Sequence, residues 1–230
     1  MSDPGRQDRV RLVNARAKSP STATQFVLDE LRQAIVAGEY RPGQRLPQED
    51  IADKIGVSVA PVREALRALE QEGQVDYQPR RGYFLTELNV SDLREIYALR
   101  KVLEEIAVRN TLPALDDEAV DRIASSAEEC AEAARRGDVA AELKANRQFH
   151  FGMLEGPGQV HVMRLIRLLW DSTENYRAMY YNSPEERTLT VHAHDEILEA
   201  IRRRDADAVV AAMDEHRDRA LEILTILLSG

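Results

Sequence analysis

Five histidines occur in the chain, at positions 150, 161, 192, 194 and 216, together with a single cysteine, Cys130. Three of the histidines sit beside apolar positions of separate helical stretches. His150 follows Asn146 by four residues, so both side chains share one helix face. His194 precedes Ile197 and Leu198, and His216 follows Met213. Separations of 44 and 22 residues are far from those of a local metal loop, so only the folded bundle can bring these imidazoles together. Three neutral imidazoles converging in a bundle suit Zn²⁺, alternatively Ni²⁺ or Mn²⁺, with positions left open for water or a ligand oxygen. Taken singly, each histidine reads as a hydrogen-bonded core or surface residue.

A second constellation lies in the N-terminal third. Ser58, Val59, Ala60, Arg63 and Arg67 occupy the start and one face of a short helix. A helix that reads DNA meets base edges with its N-terminal residues. There Arg63 can grip guanine in two places, and Ser58 can bond a phosphate or a base. The bland reading of Arg63 is a surface ion pair with Glu64 or another acid. Arg80, Arg81 and Gly82 form the tip of a hairpin, where arginine suits a narrow minor groove and glycine lets backbone approach closely. Arg41 and Arg45 stand ahead of the preceding helix as phosphate anchors, which position without reading sequence. Ordinary surface solvation is the alternative for each. Arg100 is the remaining candidate, on an apolar-lined helix. A buried guanidinium requires a carboxylate, from Glu104 one turn away or from a ligand.

The elements that must hold these residues are legible from periodicity and punctuation. Phe26, Val27, Leu31, Ile35 and Val36 recur at helical spacing, and Gly38 closes the run. Arg41-Pro42-Gly43 is a turn. Residues 48–55 make a short helix, Gly56-Val57-Ser58 a tight turn with Ser58 as N-cap, and 59–72 a second helix. Alternating stretches at 75–78 and 83–85 flank Pro79-Arg80-Arg81-Gly82, a hairpin turn. Helix, helix, turn, helix and hairpin in that order predict a winged helix. Past Asn89 only long helices follow, six of them: to about 111, with Leu93, Ile96, Leu99, Leu103 and Ile106 inward; 117–136; to about 155; 160–181; from the capping box Ser183-Pro184-Glu185-Glu186 to about 203; and from Asp205 to about 228. The expected fold is therefore mainly α. A basic tail without structure spans 1–20 and carries Arg6, Arg9, Arg11, Arg16 and Lys18. A winged helix-turn-helix domain spans 21–88, and an all-α six-helix bundle 89–230.

Composition agrees with two domains in 230 residues. The net charge of −9 looks wrong for a DNA binder until it is divided. Residues 1–88 hold 13 basic and 13 acidic side chains, so all the net negative charge belongs to the helical part. No apolar run approaches the roughly 20 residues of a membrane span, and nothing at the N-terminus resembles a signal peptide. The single Cys130 excludes an internal disulfide and fits a reducing cytoplasm.

The segments Arg41-Pro42-Gly43-Gln44-Arg45-Leu46-Pro47, Ile55-Gly56-Val57-Ser58, Pro61-Val62-Arg63-Glu64-Ala65-Leu66-Arg67-Ala68-Leu69-Glu70, Glu72-Gly73 and Arg80-Arg81-Gly82-Tyr83 closely resemble the DNA-binding domain of GntR-type regulators. The following helices resemble the all-α FCD effector domain of the FadR subfamily. That likeness rests on Leu99-Arg100 with Leu103-Glu104, Asn146 through Phe149-His150, His194 with Ile197-Leu198, and Met213 with His216. Six helices resemble the VanR-like branch.

The resemblance implies a cytoplasmic regulator rather than an enzyme. It would bind a double-stranded operator as a homodimer and repress until a small carboxylate-bearing effector releases it. It also implies that Asn146, His150, His194 and His216 are the metal ligands, with Asn146 where relatives often carry Asp. His161 and His192 match no family position and read as surface residues. Arg100 matches an arginine that faces the effector cavity. Tyr97, Asn175, Tyr176 and Arg177 are further candidates to line it. Val59-Ala60 stands where relatives often carry Arg-Thr, which removes a base-reading arginine and leaves apolar groups that suit a thymine methyl. The rival is a metal-dependent hydrolase with an incidental winged helix, for which neither Glu155 nor Asp195 is a well-placed base.

Overall fold

The structure is a computed structural model that describes residues 22–181 and 183–229, so the expected tail at 1–20 lies outside the described residues. Helix α1 (Thr22–Val36) buries Val27, Leu28, Leu31 and Ile35 along one face, while Phe26 stays half exposed. Strand β1 (Arg45–Leu46) leads into α2 (Gln48–Ile55). Gly56 ends α2 at φ 79°, a left-handed conformation that only glycine adopts without strain. In α3 (Val59–Gln71), Val62, Ala65, Leu66 and Leu69 follow the spacing of one helix face and are fully buried. Ser58 is the N-cap residue, but its hydroxyl makes no capping hydrogen bond.

Strands β2 (Val75–Gln78) and β3 (Gly82–Leu85) form the antiparallel wing, with Tyr77 opposite Tyr83. Strand β1 adds to the other edge of β3, with Arg45 opposite Phe84. Two residues are too few to show alternation, so β1 was invisible in the sequence. The core of this part joins Val27, Leu31, Leu46, Ile51, Leu66, Val75 and Leu85.

Helix α4 (Val90–Thr111) starts at a full capping box between Asn89 and Asp92. A 3-10 turn (Leu112–Ala114) precedes α5 (Asp117–Arg136), whose N-terminus is capped by the Asp116 carboxylate. Then come α6 (Val139–Leu154), α7 (Val160–Asp171), α8 (Glu174–Tyr180), α9 (Pro184–Arg202) and α10 (Ala206–Ser229). The winged helix followed by an all-α domain is thus present. The fourth of the six expected helices is split at Ser172 and Thr173 into α7 and α8. The Thr173 hydroxyl donates to the carbonyls of Leu169 and Trp170, competing with the helix ladder where the break occurs.

The expected inward face of α4 needs correction. Leu93 is buried, but Leu99 and Ile106 are exposed, and the face turned inward carries Tyr97, Arg100, Glu104, Ala107 and Val108. The bundle buries charged side chains on α4 and leaves leucine and isoleucine outside, the reverse of what hydropathy alone predicts.

Candidate functional site

Helices α6, α9 and α10 bring His150, His194 and His216 together, with one nitrogen from each within 4.8 Å of the others. Their rings lie 5.3 to 5.4 Å apart, centre to centre. Phe149 stacks on His194 at 4.2 Å, and Trp170 lies 5.2 Å from His150. Burial holds all three imidazoles neutral. The His150 and His194 pKa values fall well below the ordinary range, and that of His216 is pushed down to about 4. A neutral imidazole is the form that binds a metal.

The donor atoms are orphaned in a way that fits a metal ion. Asn146 Oδ1, His150 Nδ1 and both ring nitrogens of His194 are buried without a hydrogen-bond partner among the described residues. A buried polar atom left unpaired costs roughly 1–3 kcal/mol, so unpaired nitrogens on His150 and His194 within one histidine cluster call for a partner. A divalent ion would meet His150, His194, His216 and the Asn146 carbonyl, and would act there as a Lewis acid toward a ligand oxygen. His161 and His192 are exposed, as expected of surface residues.

Beside the histidines lies a narrow cavity of about 30 Å³, with room for roughly two water molecules. Tyr97, Arg100, Asn146, His150, Arg177 and His216 are among its walls. Arg100 settles into the ion pair, donating from Nε to Glu104 at 2.8 Å. Glu104 also accepts from Arg217 Nη2 and from the Trp170 indole, each at 2.8 Å. Burial pushes this carboxyl up, but the two guanidiniums outweigh burial and hold it down to about 2. Arg217 and Trp170 were not singled out in the sequence as site residues, and Glu104 was named there as the alternative partner of Arg100. An acidic residue on the buried face of α4 was the available signal.

Among the described residues Arg177 forms no ion pair with a carboxylate. Its guanidinium donates to Thr173 Oγ1 at 2.8 Å and to the Trp170 carbonyl at 2.9 Å, and lies 4.4 Å from the centre of the Trp170 ring. Arg100 packs on the same indole at 4.3 Å. Burial lowers the Arg177 pKa to about 10, still cationic at neutral pH. Of three buried guanidiniums, those of Arg100 and Arg217 share the Glu104 carboxylate, Asp214 reaches Arg217 from the rim at 2.5 Å, and Arg177 stands without an ion pair among the described residues. The excess charge is positive, and an anion is what it can bind. Asn175 is buried with its amide unpaired, but it is not among the cavity walls. Tyr176 faces elsewhere, its hydroxyl accepting from the Leu88 backbone N–H at 2.6 Å.

The winged helix sorts its arginines and lysine in two groups. Arg32 pairs with Glu72 and Lys54 with Glu39. No ion pair forms at Arg41, Arg45, Arg63, Arg67, Arg80 or Arg81 among the described residues. Arg63 does not pair with Glu64, which accepts instead from the Thr24 hydroxyl at 2.7 Å. Val59 and Ala60 stand in the first turn of α3 and Arg67 further along it. At the wing tip Arg80 takes φ 65° and Gly82 φ 96°, so the chain reverses within residues 79–81. The Arg81 guanidinium folds back over the Phe84 ring at 5.0 Å.

Comparison with known proteins agrees with both halves. Residues 23–85 match the family described as bacterial regulatory proteins, gntR family, and residues 95–219 match the FCD domain. The chain is 30% identical to the Nta operon transcriptional regulator of Aminobacter aminovorans, over 82% of this chain and 90% of that protein. It is 27% identical to the transcriptional regulator YdhC of Bacillus subtilis, over 87% of this chain and 90% of that one. Its fold is similar to that of Escherichia coli McbR/YncC, with a TM-score of 0.76, 23% identity and coverage of 89% and 97%. A GntR regulator from a Rhodococcus species gives a TM-score of 0.74 at 24% identity, covering 89% and 98%.

Proposed function

The chain belongs to the gntR family of bacterial regulatory proteins with an FCD domain, a family of transcription regulators and not of enzymes, and on that premise we propose that it represses transcription as a homodimer until an organic acid releases it. The acid is held beside a divalent metal ion in the helical domain. The observation that carries this reading is the cavity itself, where orphaned imidazole nitrogens border three buried guanidiniums, of which Arg100 and Arg217 share the Glu104 carboxylate.

In this reading residues 21–88 form the DNA-binding domain, 89–230 the effector and dimerisation domain, and 1–20 a basic tail. Arg63, Arg67, Ser58, Val59 and Ala60 face base edges. Arg41, Arg45, Arg80, Arg81 and Gly82 meet the backbone and the minor groove. Asn146, His150, His194 and His216 hold Zn²⁺, alternatively Ni²⁺ or Mn²⁺. Arg100, Arg177 and Tyr97 serve the effector, and Asn175, which is not among the cavity walls, does not. Arg177 supplies most of the attraction, because Arg100 is already half engaged by Glu104. The exposed α4 stripe Leu99, Val102 and Ile106 supports a two-fold contact, which two half-sites require. Among the described residues no helix is long and apolar enough to cross a membrane.

Neither carboxylate weighed as a hydrolytic base is placed to act as one. Glu155 is tied to Arg167 at 2.6 Å on the surface, and Asp195 is exposed away from the histidines. The test is metal content. Protein purified without chelator is expected to carry about one equivalent of metal per chain, and His150→Ala to lose it. Equal metal in both proteins overturns the site. A screen of small carboxylic acids against operator binding then identifies the effector, and an operator complex indifferent to all of them overturns the release mechanism.

A further inference from the structure

We propose that Gln48 is a positioning residue that holds Arg63 ready to read guanine, an inference that rests on α3 being the helix that enters the major groove. Gln48 Oε1 accepts from Arg63 Nε at 3.1 Å. The acid next along the chain, Glu64, is occupied by Thr24, and Arg63 forms no ion pair among the described residues. Fixing Nε leaves the two Nη groups of Arg63 with their donors free. Guanine presents N7 and O6 side by side in the major groove, which two parallel N–H donors match. Gln48 is the first residue of α2, so the clamp comes from a neighbouring element and ties the arginine to the scaffold. Gln48 and Arg63 border one concavity with Arg67, Glu70, Tyr77 and Tyr83, where α2, α3 and the wing meet, and Glu70 forms no ion pair with Arg63 among the described residues.

The residue type matters as much as the contact. A long exposed guanidinium samples many rotamers, and ordering it on DNA lowers affinity. A partner that restricts it beforehand removes part of that cost, and only for the base that the restricted geometry fits. A carboxylate at 48 would restrain Nε equally well but would cancel the positive charge and repel phosphates. A neutral amide oxygen fixes direction and leaves the charge for DNA. Gln48 therefore acts on specificity, through Arg63, rather than on overall affinity.

The test uses the full-length chain and a library of random double-stranded DNA. Selection with the unaltered protein defines a motif, and binding is then measured to duplexes in which each guanine of the motif is replaced. Arg63→Ala is expected to abolish the preference at one guanine per half-site. Gln48→Ala should weaken that same preference about two- to tenfold, the worth of ordering one long side chain, with little change in binding to random DNA. Gln48→Glu should restore the preference while weakening binding to every duplex. Circular dichroism on each variant checks that the domain is folded, as expected for positions at the surface. A Gln48→Ala protein that discriminates like the unaltered one overturns the inference and leaves the regulator reading intact. So does a guanine preference that survives Arg63→Ala. If selection yields no motif at all, the DNA-binding reading falls first and this one with it.

Discussion

At the scale of single residues, Asn146 would set the character of the proposed metal site. Its carbonyl oxygen is neutral, so a divalent ion bound by three imidazoles and this amide would keep its full +2 charge next to Arg100 and Arg217. Like charges in a buried site oppose one another, and an incoming carboxylate relieves them. Asn146→Asp is expected to raise metal affinity at least tenfold, as measured by competition with a coloured chelator. Unchanged affinity would remove Asn146 from the ligand set.

The same histidines fix how stability responds to acid. Their folded pKa values lie below the unfolded value of 6.5, so the unfolded chain binds more protons between the two. Metal-free protein therefore loses stability as pH falls from about 6.5 toward 4, with up to roughly 3 kcal/mol from His216 alone. Glu142 acts the other way. Burial raises its carboxyl to about 7, so its contribution improves on acidification, but it is one group against three. Urea midpoints across this range should fall both with and without Zn²⁺, from a higher starting point with it, because a metal-bound imidazole takes up no proton either. A flat profile without metal would contradict neutral buried imidazoles.

At the scale of elements, α4 carries two incompatible faces. Inward it presents Arg100 and Glu104 to the cavity. Outward it shows Leu99, Val102 and Ile106, with Val102 58% exposed. Ion pairs from Lys101 to Asp214 and from Arg109 to Asp207 bind α4 to α10 and leave the apolar stripe between them uncovered. An apolar stripe on a long helix is the kind of surface that a second copy covers. Val102→Glu is expected to shift the protein toward monomer, read by sedimentation, and to weaken operator binding by a hundredfold or more as the two half-sites uncouple. A variant that stays dimeric would place the two-fold contact elsewhere.

At the scale of the whole molecule, one core cluster joins the cavity to the DNA-binding half. Tyr97, Tyr180, Tyr181 and Leu224 line the cavity, and in that cluster they pack with Tyr176, with Leu88 of the connection and with Val36 of α1. Arg177 and Tyr176 are neighbours on α8, one on the cavity and the other bonded to the Leu88 N–H. A shift of α8 on effector binding would therefore reach the connection directly. Tyr176→Phe keeps the ring and deletes the acceptor. It should leave effector affinity nearly unchanged while reducing the effector's influence on DNA affinity several-fold, a loss of coupling between two sites. Full coupling in this variant would route the signal elsewhere.

Much of this architecture was written locally. Gly56 and Gly137 as left-handed helix ends, the Asn89 and Asp116 caps and the spacing of Val62, Leu66 and Leu69 each depend on residues within one or two turns. Such signals survive in a linear pattern, so the winged helix, the helical domain and the three histidines could be read before any coordinates. The break between α7 and α8, the outward turn of Leu99 and the partners of Arg100 could not. Glu104 collects its donors from positions 66 and 113 residues away, as well as from its own helix. Helical periodicity reports which side of a helix is apolar, and it is silent on which charged groups meet across a bundle. That choice is made by packing, where a buried carboxylate and three guanidiniums must be arranged together or pay the full cost of leaving water.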